Sequence, residues 1–552
     1  MPYDKPIHDF DEEFDLKYYP GWVLGTQWFP PPFVPLFVDL HNTWGDYGMQ
    51  FAPCSLSDPR TKGWVPRIRN GALYLTVAEP TEEEKKQLEP LWREKMQKIL
   101  QDPWIVWEER KRNLKERLHG YAAFDLKNAT DVALVDHWYE AWHYCKYVEE
   151  CHFYPMYALG QGNIVFRRLL KQLFDIDAHD PVYAQLHSGF ENEFTKAMEE
   201  MAEVADLAIA LDLQDTFKNT SVDHLQEYLG VTENGQKWLE RFREYVKTYF
   251  YMRRRGLEIA TPTWQEDPNL PLADIHRFVV TGGGSRSVEA RPRLVQRRKE
   301  IEQELLGRVP DEVAREAFQK LMRCSQASAV FSEEHTLYVE MLYYSIVRLI
   351  AMEFGRRFIA QGMTESADDT LFLHYDEIGN AGLIGGRRNL RPLVARRRQE
   401  YDEYRRIETT HPLFLGDPGK VAELANADVI FAVNVAPPIA KPEDVGATLV
   451  GCAGAPGTAE GTALVCRSEE ELGKVVPGVI LVVPATTASW TPVFNVIKGI
   501  VTDGGGYLSH ALVIAREFGI PAVVGTQEAT QRIKTGQKIR IDGNLGRVWV
   551  TD

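Results

Sequence analysis

The spacing of apolar residues changes once along this 552-residue chain, and the change limits the folds open to it. Between about Thr81 and Glu408, apolar residues recur at three- and four-residue intervals within charged stretches, which predicts long amphipathic helices. From about Thr448, short β-branched runs separated by glycine predict strands with short helices between several of them. The sequence therefore predicts a multidomain α+β protein, with a large, mainly α-helical body at 1–432 and a small α/β domain at 448–552.

Two segments follow neither pattern. Residues 433–447, "VNVAPPIAKPEDVGA", contain prolines and have no hydrophobic period, which indicates a semi-rigid linker between the body and the C-terminal domain. The stretch "GWVLGTQWFPPPFVPLFVDLHNTWGDYGMQFAP" (21–53) is dense in aromatic residues, glycine and proline, which favours irregular loops and short strands.

Charge and cysteine content exclude several classes of protein. The formal net charge of −16 argues against general binding to nucleic acid or to anionic membranes. Six scattered cysteines without a CxxC pair are typical of a reducing compartment and not of a disulfide framework. The N-terminus lacks an apolar signal segment, and no run of about eighteen apolar residues predicts a membrane span. We therefore expect a soluble, cytoplasmic protein whose partners include neither nucleic acid nor a membrane.

The stretch "TDGGGYLSHALVIAREFGIPAVVGT" (502–526) places a histidine directly after a glycine-rich turn. The glycines let the main chain approach a ligand closely, and Ser509 is expected to cap a helix that starts at about His510. Free N–H groups and the helix dipole favour an anion at such a start and keep a histidine there neutral and nucleophilic. Such a ring is suited to form phosphohistidine, although a structural or solvated histidine fits the local pattern as well. The predicted phosphate-binding residues are Gly504, Gly505, Gly506 and Ser509.

This stretch resembles the phosphohistidine segment of the swivelling domain in phosphoenolpyruvate-utilising enzymes, which include pyruvate phosphate dikinase and phosphoenolpyruvate synthase. The family pattern is Thr-x-x-Gly-Gly-x-x-Ser-His, then a helix with Ala-Arg-Glu, then Gly-Ile-Pro-Ala-Val. The matching residues are Thr502, Gly505, Gly506, Ser509, His510, Ala515, Arg516, Glu517, Gly519, Ile520, Pro521, Ala522 and Val523. Residues 454–465 and 485–503 also resemble segments of that domain, so the resemblance covers the whole C-terminal domain.

The resemblance implies a small swivelling β/β/α phosphohistidine domain in which His510 carries the phosphoryl group. It also implies that Thr502 and Arg516 help to hold the phosphoryl oxygens. The linker at 433–447 would let the domain pivot between two sites.

Two parts of the body, 28–37 and 347–378, resemble the substrate-binding region of rifampin phosphotransferase and phenylphosphate synthase. Residues from about 80 to 320 have no clear counterpart in this comparison. The front of the chain does not resemble an ATP-grasp domain, and no phosphoenolpyruvate-binding barrel is expected after the histidine domain.

The resemblance to phenylphosphate synthase implies a division of labour between two chains. A separate ATP-grasp subunit would bind ATP and Mg2+, phosphorylate His510, and release AMP and phosphate. His510 would then phosphorylate the hydroxyl of a small aromatic, phenol-like substrate. Two alternatives stay open: an antibiotic-modifying phosphotransferase component without its ATP domain, and a non-catalytic phosphocarrier or regulatory protein. The large aromatic body argues against the second.

The tryptophans of the body are candidates for lining a pocket around a planar substrate, although aromatic residues mostly fill cores. The substrate-binding candidates are Trp28, Trp44, Trp138 and Trp142.

A hydroxyl acceptor also needs a general base. Our preferred base is His41 in "DLHNTWGD", and a hydrogen-bonded loop histidine is the alternative. In "DHWYEAWHYCKYVEECH", Cys145 and His152 share a helix face while His143 points to roughly the opposite side. We therefore predict no metal site there.

Overall fold

The computed structural model describes residues 9–19, 21–24, 32–177, 180–253, 259–282, 286–384, 388–407, 414–417, 446–486, 488–506 and 509–551. The chain forms two compact units. The first comprises Met1–Gln161, Leu257–Ala260 and Tyr338–Val429, and the second comprises Gly162–Gly256, Thr261–Leu337 and Ile430–Asp552. Except for its last two residues, the predicted linker at 433–447 lies outside the described stretches, so the predicted domain boundaries stay a prediction.

Helices account for most of the regular structure. In chain order they are α1 (Glu12–Tyr18), α2 (Pro35–Thr43), α3 (Met49–Leu56), α4 (Glu82–Gln101), α5 (Ile105–Ala122), α6 (Asp131–His143), α7 (Cys145–Phe174), α8 (Pro181–Gln185), α9 (Glu193–Ala210), α10 (Gln214–Asn219), α11 (Val222–Leu229), α12 (Glu233–Thr248), α13 (Asn269–Thr281), α14 (Arg286–Arg308), α15 (Glu312–His335), α16 (Tyr344–Ala360), α17 (Tyr375–Ile384), α18 (Arg391–Ile407), α19 (His510–Glu517) and α20 (Ala529–Arg532). Trp44–Gly48 and Thr336–Tyr343 are π-helical, and Ala367–Phe372, Glu469–Lys474 and Ala488–Asn495 are 3-10 helices. Among the described residues, no helix has both the length and the apolar character needed to cross a membrane.

The strands are β1 (Gly21–Leu24), β2 (Gly63–Arg69), β3 (Ala72–Ala78), β4 (Phe414–Gly416), β5 (Leu449–Val450), β6 (Cys452–Ala455), β7 (Thr458–Val465), β8 (Ile480–Val483), β9 (Gly499–Thr502), β10 (Ala522–Val524), β11 (Lys538–Asp542) and β12 (Arg547–Val550). A large helical region followed by a C-terminal β domain confirms the predicted fold class.

The predicted start of the long charged helices has a local cause. The hydroxyl of Thr81 accepts the backbone N–H of Glu84 at 3.3 Å, and the Glu84 carboxylate accepts the N–H of Thr81 at 2.7 Å. This capping box satisfies two amides that a helix start leaves without intrahelical partners, so α4 begins directly after Thr81.

The prediction of irregular structure across 21–53 was wrong for most of that segment. The segment begins with the short strand β1. From Pro35 onward it is helical, because α2, the π-helical turn and α3 are contiguous. Pro35 occupies the first turn of α2, where its missing N–H costs no hydrogen bond. Leu36, Phe37 and Leu40 then lie buried at helical spacing. Aromatic and apolar spacing therefore outweighed the proline content.

In the first unit, β2, β3, β1 and β4 form an antiparallel sheet in that order. Trp22, Val65 and Tyr74 pack together on one face of this sheet. The hydrophobic face explains why two very short strands, β1 and β4, and the β2–β3 hairpin hold together in a largely helical unit.

The C-terminal β domain in the second unit contains an eight-stranded sheet of order β5-β12-β11-β7-β8-β9-β10-β6. Strands β7, β8, β9 and β10 run parallel at its centre, and the outer strands pair antiparallel. Buried β-branched side chains on these strands form the domain's own core, including Ile480, Val501, Val523 and Ile541.

The two edges of this sheet meet. Strands β5 and β6 lie at opposite ends of the strand order, yet only Gly451 separates them in the chain. The Gly451 N–H donates to the carbonyl of Gly546 at 2.8 Å, and the Gly454 N–H donates to that of Gly543 at 3.2 Å. The sheet therefore curls into a closed, barrel-like surface.

We expect Gly543→Ala to destabilise this closure, because a Cβ at residue 543 would collide with the carbonyl oxygen of Ala455. The free energy of unfolding should fall by about 1–3 kcal/mol, measured by urea denaturation. Gly473→Ala is the matched control, since a Cβ there meets nothing within 4 Å. Equal denaturation midpoints for the two variants would contradict the proposed closure.

Candidate functional site

The parallel centre of the C-terminal sheet positions the histidine of the glycine-rich stretch. Strand β9 ends at Thr502, a loop follows, and α19 begins at His510 as the sequence predicts. In sheets with parallel strands, ligands commonly bind beyond the carboxyl ends of the strands. The loop and the first turn of α19 occupy that position.

Ser509 stands at the helix start but does not cap it as expected. It has extended backbone angles and no side-chain bond to the first turn of α19. Its hydroxyl instead donates to the carbonyl of Gly506 at 2.7 Å, and its N–H donates to the same carbonyl at 3.0 Å. These two hydrogen bonds direct the Ser509 hydroxyl towards Gly506 and away from the first turn of α19.

The glycine loop is shaped by one left-handed residue and one buried threonine. Gly505 has φ of +106°, and a Cβ there would lie 2.9 Å from the Ser509 hydroxyl. Thr502 is fully buried, and its hydroxyl donates to the Gly504 carbonyl at 2.5 Å. Thr502 therefore stabilises the start of the loop through this hydrogen bond. Its contact with phosphoryl oxygens stays a prediction. The phosphate-binding role of the three glycines also stays a prediction.

His510 makes polar contacts through both ring nitrogens. Nδ1 lies 3.2 Å from Oε2 of Glu333 on α15, and Nε2 lies 3.2 Å from the hydroxyl of Thr491. The ring of Phe194 on α9 stands edge-on at 6.1 Å between centroids. The side chain of His510 is 14 % exposed, and that of Glu333 is 8 % exposed. The imidazole of His510 and the carboxylate of Glu333 are therefore held together in a mostly buried setting.

This geometry assigns different roles to the two nitrogens. A carboxylate only accepts hydrogen bonds, so Nδ1 carries the proton and donates it to Glu333. Nε2 then has the free lone pair and accepts from Thr491. In the neutral ring, this arrangement favours the tautomer in which Nε2 keeps its lone pair.

Sequence reasoning did not name Glu333, Thr491 or Phe194 as site residues. Thr491 lies in the 485–503 segment that carries part of the family resemblance. Glu333 and Glu334 are two buried acids near the C-terminal end of α15. Acidic residues are seldom fully buried unless paired, and this was the one available signal.

Arg516 and Glu517 lie at the far end of α19 from His510. Six residues of helix correspond to about 9 Å along the axis. Both side chains are buried, and the charge of Arg516 contributes to the low pKa of His187, about 4, which is caused mainly by burial. The predicted contact of Arg516 with phosphoryl oxygens stays a prediction.

Glu517 links the C-terminal β domain to the helices of the second unit. Its carboxylate accepts the backbone N–H of Gly189 at 2.8 Å. Burial raises the pKa of Glu517, and this effect is partly offset by that hydrogen bond and by the charges of Arg516, Arg291 and Arg298. This hydrogen bond attaches α19, the helix that also carries His510, to the loop at Gly189.

The proposed base His41 belongs to the first unit and lies in an aromatic cluster. Its ring is 4.3 Å from that of Phe37, 5.3 Å from that of Phe33 and 5.4 Å from that of Trp44. Burial lowers the pKa of His41 to about 3. A base of that pKa accepts protons poorly near neutral pH, and its catalytic role stays a prediction.

The tryptophan candidates that the structure describes are buried in the first unit. The indole N–H of Trp138 donates to the carbonyl of Tyr375 at 2.9 Å, and Trp142 stacks on the ring of Tyr375 at 4.6 Å. Trp44 packs edge-on against Phe153 at 5.4 Å. Trp28 lies outside the described residues. The structure places these rings in packed surroundings, and their contact with substrate stays a prediction.

A histidine and carboxylate pair lies near these rings, and the sequence offered its Asp39 as a candidate base but gave no sign of its partner His374. His374 Nδ1 is 2.9 Å from Asp39 Oδ1, and Asp39 Oδ2 accepts the N–H of Tyr375 at 2.9 Å. Burial acts to lower the pKa of His374, but the hydrogen bond and charge of Asp39 outweigh it, so the pKa is raised. The prediction that the first unit has no metal site at His143, Cys145 and His152 stays a prediction.

Comparison with known families identifies two domains in the chain. Residues 475–546 match the mobile domain of PEP-utilising enzymes, and residues 152–333 match the fourth domain of rifampicin phosphotransferase. The first range contains His510, and the second contains Phe194 and ends at Glu333. Our expectation that about 80–320 lacks a counterpart was therefore wrong from 152 onward.

Three relatives illustrate the similarity. An uncharacterized phosphotransferase, YvkC, of Bacillus subtilis is 30 % identical over 334 residues, covering 60 % of this chain and 39 % of the relative. The rifampicin phosphotransferase of Bacillus subtilis is 25 % identical over 402 residues, covering 71 % and 43 %. A probable phosphoenolpyruvate synthase of Pyrococcus horikoshii is 40 % identical over 107 residues, covering 19 % and 13 %. The chain thus spans less than half the length of these relatives.

We expect Glu517→Ala to weaken the packing of the β domain on the helices of the second unit, because it leaves the buried Gly189 N–H without an acceptor. The free energy of unfolding should fall by about 1–3 kcal/mol, measured by urea denaturation. Glu528→Ala removes an exposed ion pair with Arg532 and should change it by less than about 0.5 kcal/mol. Equal effects of the two substitutions would show that Glu517 does not hold the domains together.

Proposed function

Because residues 475–546 match the mobile domain of PEP-utilising enzymes and residues 152–333 match the fourth domain of rifampicin phosphotransferase, we propose that this chain carries a phosphoryl group on His510. The observation that supports this most directly is the hydrogen bond from His510 Nδ1 to Glu333, which leaves Nε2 unprotonated. An unprotonated nitrogen is what attack on phosphorus requires.

Glu333 favours phosphoryl transfer to and from His510 in the position that the ring occupies beside it. With Nδ1 protonated, attack by Nε2 places positive charge on the ring, and the neighbouring carboxylate stabilises it. When the phosphoryl group leaves, the ring departs as a neutral imidazole, which is a good leaving group. The hydroxyl of Thr491, now beside Nε2, can turn to donate to a phosphoryl oxygen.

The proposed donor is ATP, bound with Mg2+ on a separate ATP-grasp subunit, and the products are AMP and phosphate. The resemblance to phenylphosphate synthase supports this division. The β-phosphoryl group would pass to His510 and the γ-phosphoryl group to water. The C-terminal domain would then pivot between the donor subunit and the helical region that carries Glu333.

The proposed acceptor is the hydroxyl of a small aromatic, phenol-like molecule. The ring of Phe194, whose centroid lies 6.1 Å from that of His510, supports it, because an aromatic side chain beside the imidazole favours a planar substrate. A phenol loses its proton near pH 10, far more readily than an aliphatic alcohol, so it places less demand on a general base.

A second candidate function is the modification of an antibiotic. It is favoured by relatives named rifampicin phosphotransferase that cover about seven tenths of this chain. A non-catalytic phosphocarrier is the remaining alternative, and the acceptor decides between the three.

The phosphoryl carrier can be tested with ATP labelled in its β-phosphoryl group and a purified ATP-grasp subunit of the phenylphosphate synthase type. Label should appear on the chain as acid-labile phosphohistidine and be absent in His510→Ala. His224→Ala, at an exposed histidine of the same unit, should keep the label. Phosphoramidate, a chemical phosphoryl donor, repeats the test without the partner.

The same labelled chain, offered a panel of phenols and rifampicin, identifies the acceptor. Transfer to a phenol supports the leading proposal, and transfer to rifampicin supports the antibiotic-modifying function. Label that stays on the protein with every acceptor supports the phosphocarrier. Label that persists in His510→Ala would contradict all three.

We also expect Glu333→Gln to slow labelling by phosphoramidate, which can reach His510 where it stands, by roughly 10- to 100-fold, because an amide no longer selects the Nδ1-protonated tautomer. Nitrogen NMR of labelled histidine should show His510 changing from one tautomer to a mixture. Glu302→Gln, which removes a carboxylate bonded to Gln326 in the same unit, should change neither readout. An unchanged tautomer and rate in Glu333→Gln would contradict the positioning role.

A further inference from the structure

A surface groove in the first unit is not used by the proposed phosphoryl transfer. Its volume is about 780 Å3, and residues of α5, of α6 and of the start of α7 line it. Sites for small molecules typically occupy roughly 300–1,000 Å3 and combine aromatic walls with a few polar groups. The residues that matter for its chemistry are Arg117, Tyr121, Phe124, His137, Glu140 and Tyr144.

His137 is the unusual residue of this groove. Its side chain is 7 % exposed, and within the described part of the chain its Nε2 has no hydrogen-bond partner. The ring stacks on that of Phe124 at 3.9 Å with planes 9° apart. Most buried polar atoms in folded proteins are paired, so an unpaired ring nitrogen beside a cavity indicates a place that a ligand fills.

The state of the ring determines what that ligand must offer. Burial lowers the pKa of His137, so the imidazole is neutral and has one N–H. The backbone carbonyl of Tyr121 is a hydrogen-bond partner of the ring, and a carbonyl only accepts. The N–H is therefore at Nδ1, and Nε2 is an acceptor that needs a donor.

The charges around the groove argue against an anionic ligand. The guanidinium of Arg117 lies over the ring of Tyr121 at 4.9 Å, and its Nε donates to the Tyr121 hydroxyl at 3.2 Å. Glu116 and Glu140 also line the groove. Arg117 already interacts with Tyr121, and the two carboxylates would repel an anion. The groove therefore suits a neutral molecule.

We propose that this groove binds a neutral, planar aromatic molecule with an O–H or N–H group, whose donor pairs with Nε2 of His137. The aromatic rings of Tyr121 and Tyr144 supply walls for the planar part. The site belongs to the first unit, whereas His510 belongs to the second. The inference does not rest on the proposed transfer reaction.

The test compares two probes that share a ring system and differ in one donor: 2-naphthol and 2-methoxynaphthalene. The full chain should bind 2-naphthol about tenfold more tightly, as one buried hydrogen bond allows, in a fluorescence titration. His137→Phe keeps a planar ring against Phe124 and removes the acceptor. It should abolish the preference and leave the affinity for 2-methoxynaphthalene within about twofold.

A second variant fills the groove. Gly120 lines it, and a Cβ at this helical position meets nothing within 4 Å, so Gly120→Leu should fold and exclude both probes. Gly307→Leu, at a helical glycine with equal space, is the matched control and should bind as the parent chain does.

His510→Ala should leave the binding of 2-naphthol unchanged, which keeps this result independent of phosphoryl transfer. Equal affinity for the two probes in the parent chain would overturn the inference. So would binding of 2-naphthol that survives Gly120→Leu or disappears in His510→Ala.

Discussion

The hydrogen bond from His510 Nδ1 to the carboxylate of Glu333 joins the C-terminal β domain to α15 at the imidazole that is the proposed phosphoryl carrier. It fixes which nitrogen holds the proton, and it gives a buried carboxylate the partner that its burial demands. Strand β9, the left-handed turn at Gly505 and the first turn of α19 have one effect in common. They bring the imidazole to this acid with Nε2 left available.

The local part of the site was predictable because it depends on neighbouring residues. A glycine turn, a serine and an amphipathic run are enough to predict a helix that starts at His510. Glu333 was not predictable, since it lies 177 residues away and its meaning comes only from the tertiary contact. Ser509 shows the limit of prediction at short range. Its position at the helix start was predicted correctly, but its hydroxyl donates to the carbonyl of Gly506 and does not cap the helix.

The N-terminal segment and the tryptophans show a different limit. Aromatic and proline content indicated loops, whereas burial of Leu36, Phe37 and Leu40 at helical spacing produced α2. Trp138 was a candidate for substrate contact, and the structure pairs its indole N–H with a backbone carbonyl. Composition records which side chains are present, but it does not say whether each ring faces a core or a cavity.

The meeting of β5 and β6 across Gly451 has a consequence for the proposed carrier. An open sheet that travels between partners would present rows of unpaired N–H and carbonyl groups to every strand it passed. A sheet whose two margins are joined offers no such template, and its β-branched interior stays intact wherever the domain stands. For the proposed carrier, this closure lowers the tendency of the C-terminal β domain to aggregate while it is exposed to solvent.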